Sequence, residues 1–325
     1  MKNLKHIAAL ALGLAASTGF PAGAPAAETY PDITLSGLVE IETAVVDNGD
    51  EIQDDISLAT VELGLAARMN PWLQADLIML YEEDDTPDPT VDRGTLTFLL
   101  PQTPFRLTAG RMTVPFGLFS SLMVSDPPTL ELGETKRQTV LEAGYAEQGF
   151  SGSFSVYRGD VQRNEDKRIN SLAATASYSY ETETSFMHIA AGWTNNLSDS
   201  DTLQESFEDG RCTELTGGAT VGFEAEFDKW LINAEYLGAL ERLADGESAG
   251  TRPEAFNLEA GRTVKENLVA GARYAWGNDL WIERQYGAVI SYYFEPAAIS
   301  AEIMRNDLEN SDDETVFTLQ LAAEF

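Results

Sequence analysis

Apolar and polar residues alternate through most of this chain with a period of two, the pattern of strands that bury one face only. In residues 33–45 the odd positions are Ile33, Leu35, Val39, Ile41 and Val45, and the even ones include Thr34, Ser36, Glu40 and Glu42. Residues 57–69 set Ala59, Val61, Leu63 and Leu65 against Thr60, Glu62 and Arg68. Asn70-Pro71 then turns the chain into a face of Leu73, Ala75, Leu77, Met79 and Tyr81, opposite Gln74 and Asp76. The alternation marks further strands over 95–100, 105–109, 141–145, 150–156, 172–180, 187–193, 221–227, 230–240, 256–260, 268–276, 286–294, 299–303 and 315–325. About sixteen such strands predict an all-β fold, a transmembrane antiparallel β-barrel with apolar side chains outward and polar ones toward a lumen. Trp193, Trp230, Tyr236, Trp276 and Phe294 have the outward phase and are expected near the membrane interfaces.

The connections alternate as well. Turns at Asn70-Pro71, Gln102-Thr103, Gln148-Gly149, Thr182-Glu183, Asp228-Lys229, Lys265-Glu266 and Glu295-Pro296 are short. Those between them are longer and acidic, as at 47–55, 82–92, 197–211 and 307–314. Short turns on one side and long loops on the other suit an outer-membrane barrel, with the long loops outside. A soluble β-sandwich would leave both the strand count and this asymmetry as coincidences.

The longest connection, residues 110–137 between the fifth and sixth strands, has the wrong composition for a loop in water. Phe116, Leu118, Phe119, Leu122, Met123 and Val124 lie close together, followed by Asp126, Pro127, Pro128, Glu131, Glu134, Lys136 and Arg137. Long irregular segments with apolar content of their own are usually functional. We expect a loop folded inward to constrict the lumen, anchored by Phe116 and Phe119; a compact loop packed over the rim is the other reading. The whole of residues 27–325 is expected to form one barrel.

Composition narrows the compartment. Lys2 and Lys5, the apolar run 7–16 and Ala24-Pro25-Ala26 compose a signal peptide, with cleavage expected after Ala26. The first strand follows within a few residues, which leaves no room for an N-terminal plug in the expected layout. Without Lys2 and Lys5 the chain carries 19 Lys+Arg against 53 Asp+Glu, a formal charge of −34. That balance excludes nucleic acid as a partner. The single cysteine, Cys212, excludes an intrachain disulfide scaffold. Export, acidity and strand patterning together point to the bacterial outer membrane, in contact with its lipid and lipopolysaccharide. No stretch marks a subunit interface.

Strand phase assigns the lumen wall. Glu40, Glu42, Glu62, Asp76, Glu142, Glu224, Glu226, Glu235, Glu259 and Glu302 have the inward phase, against Arg68, Arg93, Arg106 and Arg273. A wall of one sign focuses the field and favours cations. Arg111 has the outward phase on strict alternation from Phe105, but Val114 and Phe116 read as outward in the opposite phase, so a bulge at Gly110 would turn it inward. Arg106, Arg111, Lys136 and Arg137 would then face Asp126, Glu131 and Glu134 across the ligand path, or pin the loop by ion pairs. Catalysis finds no constellation, since His188 is the one histidine beyond the signal segment. The acidic runs at 47–51 and 82–85 lack EF-hand spacing, so neither a metal nor a cofactor site is assigned.

Two stretches, ISLATVELGLAARMNPWLQADLIMLYEEDD and GRMTVPFGLFSSLMVSDPPTLELGETKRQTVLEAGY, resemble the LbtU family of siderophore porins. SDPPTLELGET at 125–135 is the most specific part, and the resemblance runs over about residues 56–160. It implies a sixteen-stranded barrel without a plug that takes up ferric siderophore. General porins fold the loop at this same position into the lumen. The ending VFTLQLAAEF resembles the signal read by the barrel-assembly machinery, with Phe325 as its terminal aromatic. A general cation-preferring diffusion porin is the alternative function, and an adhesive or structural barrel a third.

Overall fold

The computed structural model describes residues 30–325 apart from 84, 85, 87, 136, 165 and 310. The signal peptide expected over 1–26, and Lys136, lie outside the described residues. Sixteen antiparallel strands close into one barrel. The first eight are β1 (Asp32–Asp47), β2 (Ile52–Asn70), β3 (Leu73–Tyr81), β4 (Thr90–Leu99), β5 (Phe105–Met112), β6 (Gln138–Glu147), β7 (Phe150–Tyr157) and β8 (Ser171–Glu181). The others are β9 (Ser185–Thr194), β10 (Gly218–Phe227), β11 (Trp230–Ala239), β12 (Glu254–Lys265), β13 (Leu268–Asn278), β14 (Ile282–Phe294), β15 (Ala297–Leu308) and β16 (Glu314–Glu324).

Each strand pairs with its sequence neighbour, and β1 pairs with β16 from Leu38↔Glu324 to Asp47↔Thr315. Gly37 and Phe325 exchange backbone hydrogen bonds at 2.8 and 3.1 Å, which extends the seam to the last residue. A closed ladder leaves no edge whose N–H and C=O groups would need water, the condition for strands to stand in lipid. Leu63, Leu77, Leu96, Phe98, Leu107, Leu141, Ile189, Tyr274, Ile290 and Phe317 are all exposed on the outer face. Trp193, Trp230, Tyr236 and Phe294 share that face, and Trp276 stacks there against Phe256.

The turns behave as the sequence suggests. Gln148 and Gly149 both have positive φ, 53° and 84°, which matches the right-handed twist of the flanking strands. The connections expected at 47–55 and 82–92 are shorter than read, because β2 already begins at Ile52 and β4 at Thr90. At the long-loop end, Val161, Leu197, Leu203, Phe207, Cys212 and Leu243, from the connections after β7, β9 and β11, share one buried cluster. A two-residue parallel bridge between Gln162–Arg163 and Arg211–Cys212 ties the first two of these connections together.

The apolar core lies inside the barrel and under its external connections, against the usual polarity of a lumen. Phe116, Leu132, Leu197, Leu203, Phe207, Leu237 and Leu243 belong to one buried cluster. Met112, Val114, Val140, Tyr157 and Ala173 make a second, and Met123, Val289 and Met304 a third. Each cluster joins wall residues to one and the same segment or its supports.

Candidate constriction site

That segment is the connection between β5 and β6. It leaves the sheet after Met112 and rejoins it at Gln138, and the Val114 N–H donates to the Thr135 carbonyl at 3.1 Å to close its neck. Between these points it runs along the inner wall from β9 to β15. A Cβ on Gly192 of β9 would meet the Phe116 carbonyl, one on Gly222 of β10 the Leu118 side chain, and one on Gly261 of β12 the Leu122 side chain. Small inward residues thus make the trough in which the loop lies. The chain then turns at Asp126 into a short helix, α1 (Pro128–Gly133), which contacts β11, β12 and β13 on its return.

Four inward carboxylates hold the loop. An irregular segment inside a barrel has no ladder for its N–H groups, and each buried donor left unpaired costs about 1–3 kcal/mol. Glu235 accepts the N–H groups of Leu118 and Phe119 at 2.9 and 2.8 Å. Glu259 accepts that of Leu122 at 2.5 Å, and Glu302 those of Val124 and Ser125 at 2.6 and 3.3 Å. Glu224 accepts the Ser120 hydroxyl. Bonds to an ionised acceptor are about twice as strong as neutral ones.

Arg273 satisfies the loop's acceptors from the same wall. Its guanidinium pairs with Glu259 at 2.8 Å, both side chains being fully buried. It also donates to the carbonyls of Ser125 and Asp126 at 2.8 and 3.0 Å and to the Ser121 hydroxyl at 2.6 Å. Strand phase alone places these groups on the wall. Their partners stand more than a hundred residues away, and the only trace in the sequence is an excess of inward carboxylates and glycines on β9–β15.

The residues singled out from sequence fall in several places. Phe116 is buried against β9, and Phe119, with φ of +55°, is half-buried beside Gly133 and Leu132's cluster. Asp126 is exposed to the lumen. Glu131 and Glu134 use their carbonyls to accept the Thr202 hydroxyl at 2.6 Å and the Asp201 N–H at 2.9 Å, which docks α1 on the external helix α2 (Asp201–Gln204). Arg106 pairs with Glu142 at 3.3 Å near the short-turn end, and Arg137 lies 3.5 Å from both Glu82 and Asp92 at the opposite end. On β1–β4, Glu62 and Asp76 are half-buried with Arg93, Gln74 donates to Asp76 at 3.0 Å, and Arg68 lies over the Tyr30 ring.

Arg111 corrects the sequence reading. The register runs Ala109↔Leu141, Gly110↔Val140, Arg111↔Thr139 without a shift, so there is no bulge and Arg111 keeps the outward phase. Arg106 sits five residues down the same strand, about 17 Å away at the usual rise. The basic strip expected across the lumen from Arg106, Arg111 and Arg137 is therefore not assembled. Val114 and Phe116, whose outward reading suggested a bulge, are instead buried inside the barrel.

Beyond the wall, Asp199 is buried in the external cap. Its carboxylate accepts the Val161 N–H at 2.7 Å. Burial, reinforced by neighbouring Asp160 and only partly offset by that hydrogen bond, pushes its pKa up to about 7. His188 meets the Ser179 hydroxyl through Nδ1 at 2.6 Å and stacks on Phe186.

Comparison with known proteins sets the fold among others. No family model matches the chain. It is 24% identical over 319 residues to a UPF0422 protein of Legionella pneumophila strain Lens, covering 86% of this chain and 59% of that protein. A UPF0422 protein of Coxiella burnetii is 26% identical over 259 residues, covering 75% and 55%. The chain thus spans between half and three fifths of the length of these curated relatives. Among solved structures, an anion-selective porin from Comamonas acidovorans superposes with a TM-score of 0.65 at 14% identity, covering 91% of this chain and all of that one. The outer-membrane channel DcaP of Acinetobacter baumannii gives 0.65 at 13% identity, covering 91% and 97%. The fold is that of the sixteen-stranded porins.

Proposed function

We propose that the chain is a solute channel of the bacterial outer membrane and that its cargo is ferric siderophore. The observation that supports a channel best is the inward loop, bound to the wall of the closed barrel by four carboxylates and Arg273. The porin-like neighbours and the apolar outer face support the outer membrane as its location. Ferric siderophore as cargo rests on the resemblance of residues 56–160 to the LbtU siderophore porins.

One observation favours the alternative, a general cation-preferring diffusion porin. With Arg111 outside and Arg106 and Arg137 beside carboxylates, the wall of β1–β4 carries Glu40, Glu42, Glu62 and Asp76 against Arg68 and Arg93. Planar-bilayer recording separates the two. A siderophore channel shows saturable block by ferric siderophore, and cells with the protein take up labelled ferric siderophore faster than cells without it. Ohmic conductance with cation selectivity and no block assigns the alternative.

A further inference from the structure

We infer that the external rim carries a phosphate-binding notch for the headgroup of an outer-leaflet glycolipid, formed by Arg111, Thr139 and Arg158. Arg111 of β5 stands opposite Thr139 of β6, and the β6–β7 register ends at Val140↔Tyr157, which sets Arg158 next to Thr139. All three are exposed, while Met112, Val140 and Tyr157 beside them are buried inside the barrel. The row therefore lies on the outer face at the long-loop end, directly beyond the outward residues Leu141 and Val156 of the apolar belt.

A pocket of 580 Å³ opens there, bordered by these three residues with Arg137, Asp160 and Asp201. Three arginines in one pocket invert the sign of a chain whose formal charge is −32. The two carboxylates are engaged by amides: Gln138 donates to Asp160 at 2.8 Å and Gln204 to Asp201 at 3.2 Å. Arg137 is held by Glu82 and Asp92, whereas Arg111 and Arg158 make no ion pair among the described residues. Guanidinium groups bind phosphate bidentately, and strand spacing of about 4.8 Å sets these two roughly 10 Å apart across Thr139, room for one phosphate between them. The row lies on the outer face, where a phosphate borne by the membrane can reach it.

The inference rests on the barrel standing in the outer membrane and not on the identity of its cargo. The test uses the full chain refolded in detergent free of lipopolysaccharide, titrated with fluorescent lipid A, with the same lipid after removal of its phosphates, and with inorganic pyrophosphate. Wild type is expected to bind lipid A and to lose it on dephosphorylation. R111Q/R158Q is expected to weaken lipid A binding by about a hundredfold, one charged contact worth about tenfold being lost at each position. Thr139→Arg, which adds a cation to the row, is expected to tighten it. Equal binding of both lipids, or variants that bind as wild type, would overturn the site. Arginine-dependent binding of pyrophosphate without binding of lipid A would overturn the headgroup as its occupant. Conductance recorded from the same preparations keeps the two readings apart, since a barrel without a pore would contradict the channel and leave the notch standing.

Discussion

Replacing Glu235 by alanine is expected to lift the constriction loop from the wall while the barrel stays closed. The Glu235 side chain is 5% exposed and accepts the N–H groups of Leu118 and Phe119 and the Thr220 hydroxyl, all within 2.9 Å. Its backbone remains paired opposite Gly222 and Asn257 whatever the side chain. Alanine strands two loop donors, which at about 1–3 kcal/mol each removes about 2–6 kcal/mol from the docked state. Against release stand the burial of Phe116, worth about 1.5–3 kcal/mol, and the neighbouring bonds of Ser120 to Glu224 and Leu122 to Glu259. The loss weakens the local docking at Leu118 and Phe119 while those neighbours stay bound, so the segment around Phe119 should leave the wall for a measurable fraction of the time. Glutamine keeps one carbonyl oxygen, so Glu235→Gln should fall between alanine and wild type. Single-channel recording reads the effect as higher conductance and added open-channel noise. Glu226→Gln is the control, an inward carboxylate that no loop donor reaches among the described residues, and it should shift ion preference only. Identical conductance and noise in Glu235→Ala and wild type would refute the reasoning.

Three further outcomes follow from the same geometry. Arg273→Met leaves Glu259 charged and buried without its partner, a loss of about 3–5 kcal/mol, read as a lower midpoint of denaturant unfolding; Arg273→Met with Glu259→Met should recover part of it. Gly192→Val places a side chain against the Phe116 carbonyl, so it should raise conductance without impairing assembly, since Gly192 faces the loop and not the lipid. The external cap should weaken as pH rises: Asp199 titrates near 7 when folded and at an ordinary 3.8 when unfolded, so between these values the folded form holds the extra proton and stability falls with pH, levelling off above 7. Hydrogen exchange at the Val161 amide should report that slope, and Asp199→Asn should flatten it.

The wall was legible from sequence because a barrel asks one thing of every strand residue, apolar toward lipid or polar toward the lumen, and a period of two answers it. Leu63, Leu77, Leu141 and Ile189 face out, and Glu142, Glu235, Glu259 and Glu302 face in, as alternation requires. The inward course of residues 113–137 was legible from Phe116 to Val124, whose apolar surface needs cover. The role of the inward carboxylates was not. Alternation reports which face a residue occupies but not what crosses the lumen to meet it, so Glu235 and Glu302 read as a bare cation-attracting wall when they are acceptors for the loop. Arg111 shows the converse. There strict alternation held, and Val114 and Phe116 misled because the loop buries their apolar side chains inside the barrel.

Deleting residues 123–134 and recording single channels in planar bilayers shows whether this loop sets the bore of an outer-membrane channel. That deletion removes the segment from Met123 through α1, including both donors to Glu302 and the carbonyls that Arg273 holds. Larger conductance and weaker ion selectivity are expected, because permeating solute loses most water at the constriction. Conductance and selectivity unchanged from wild type would place the loop outside the permeation path and contradict its role in setting the bore.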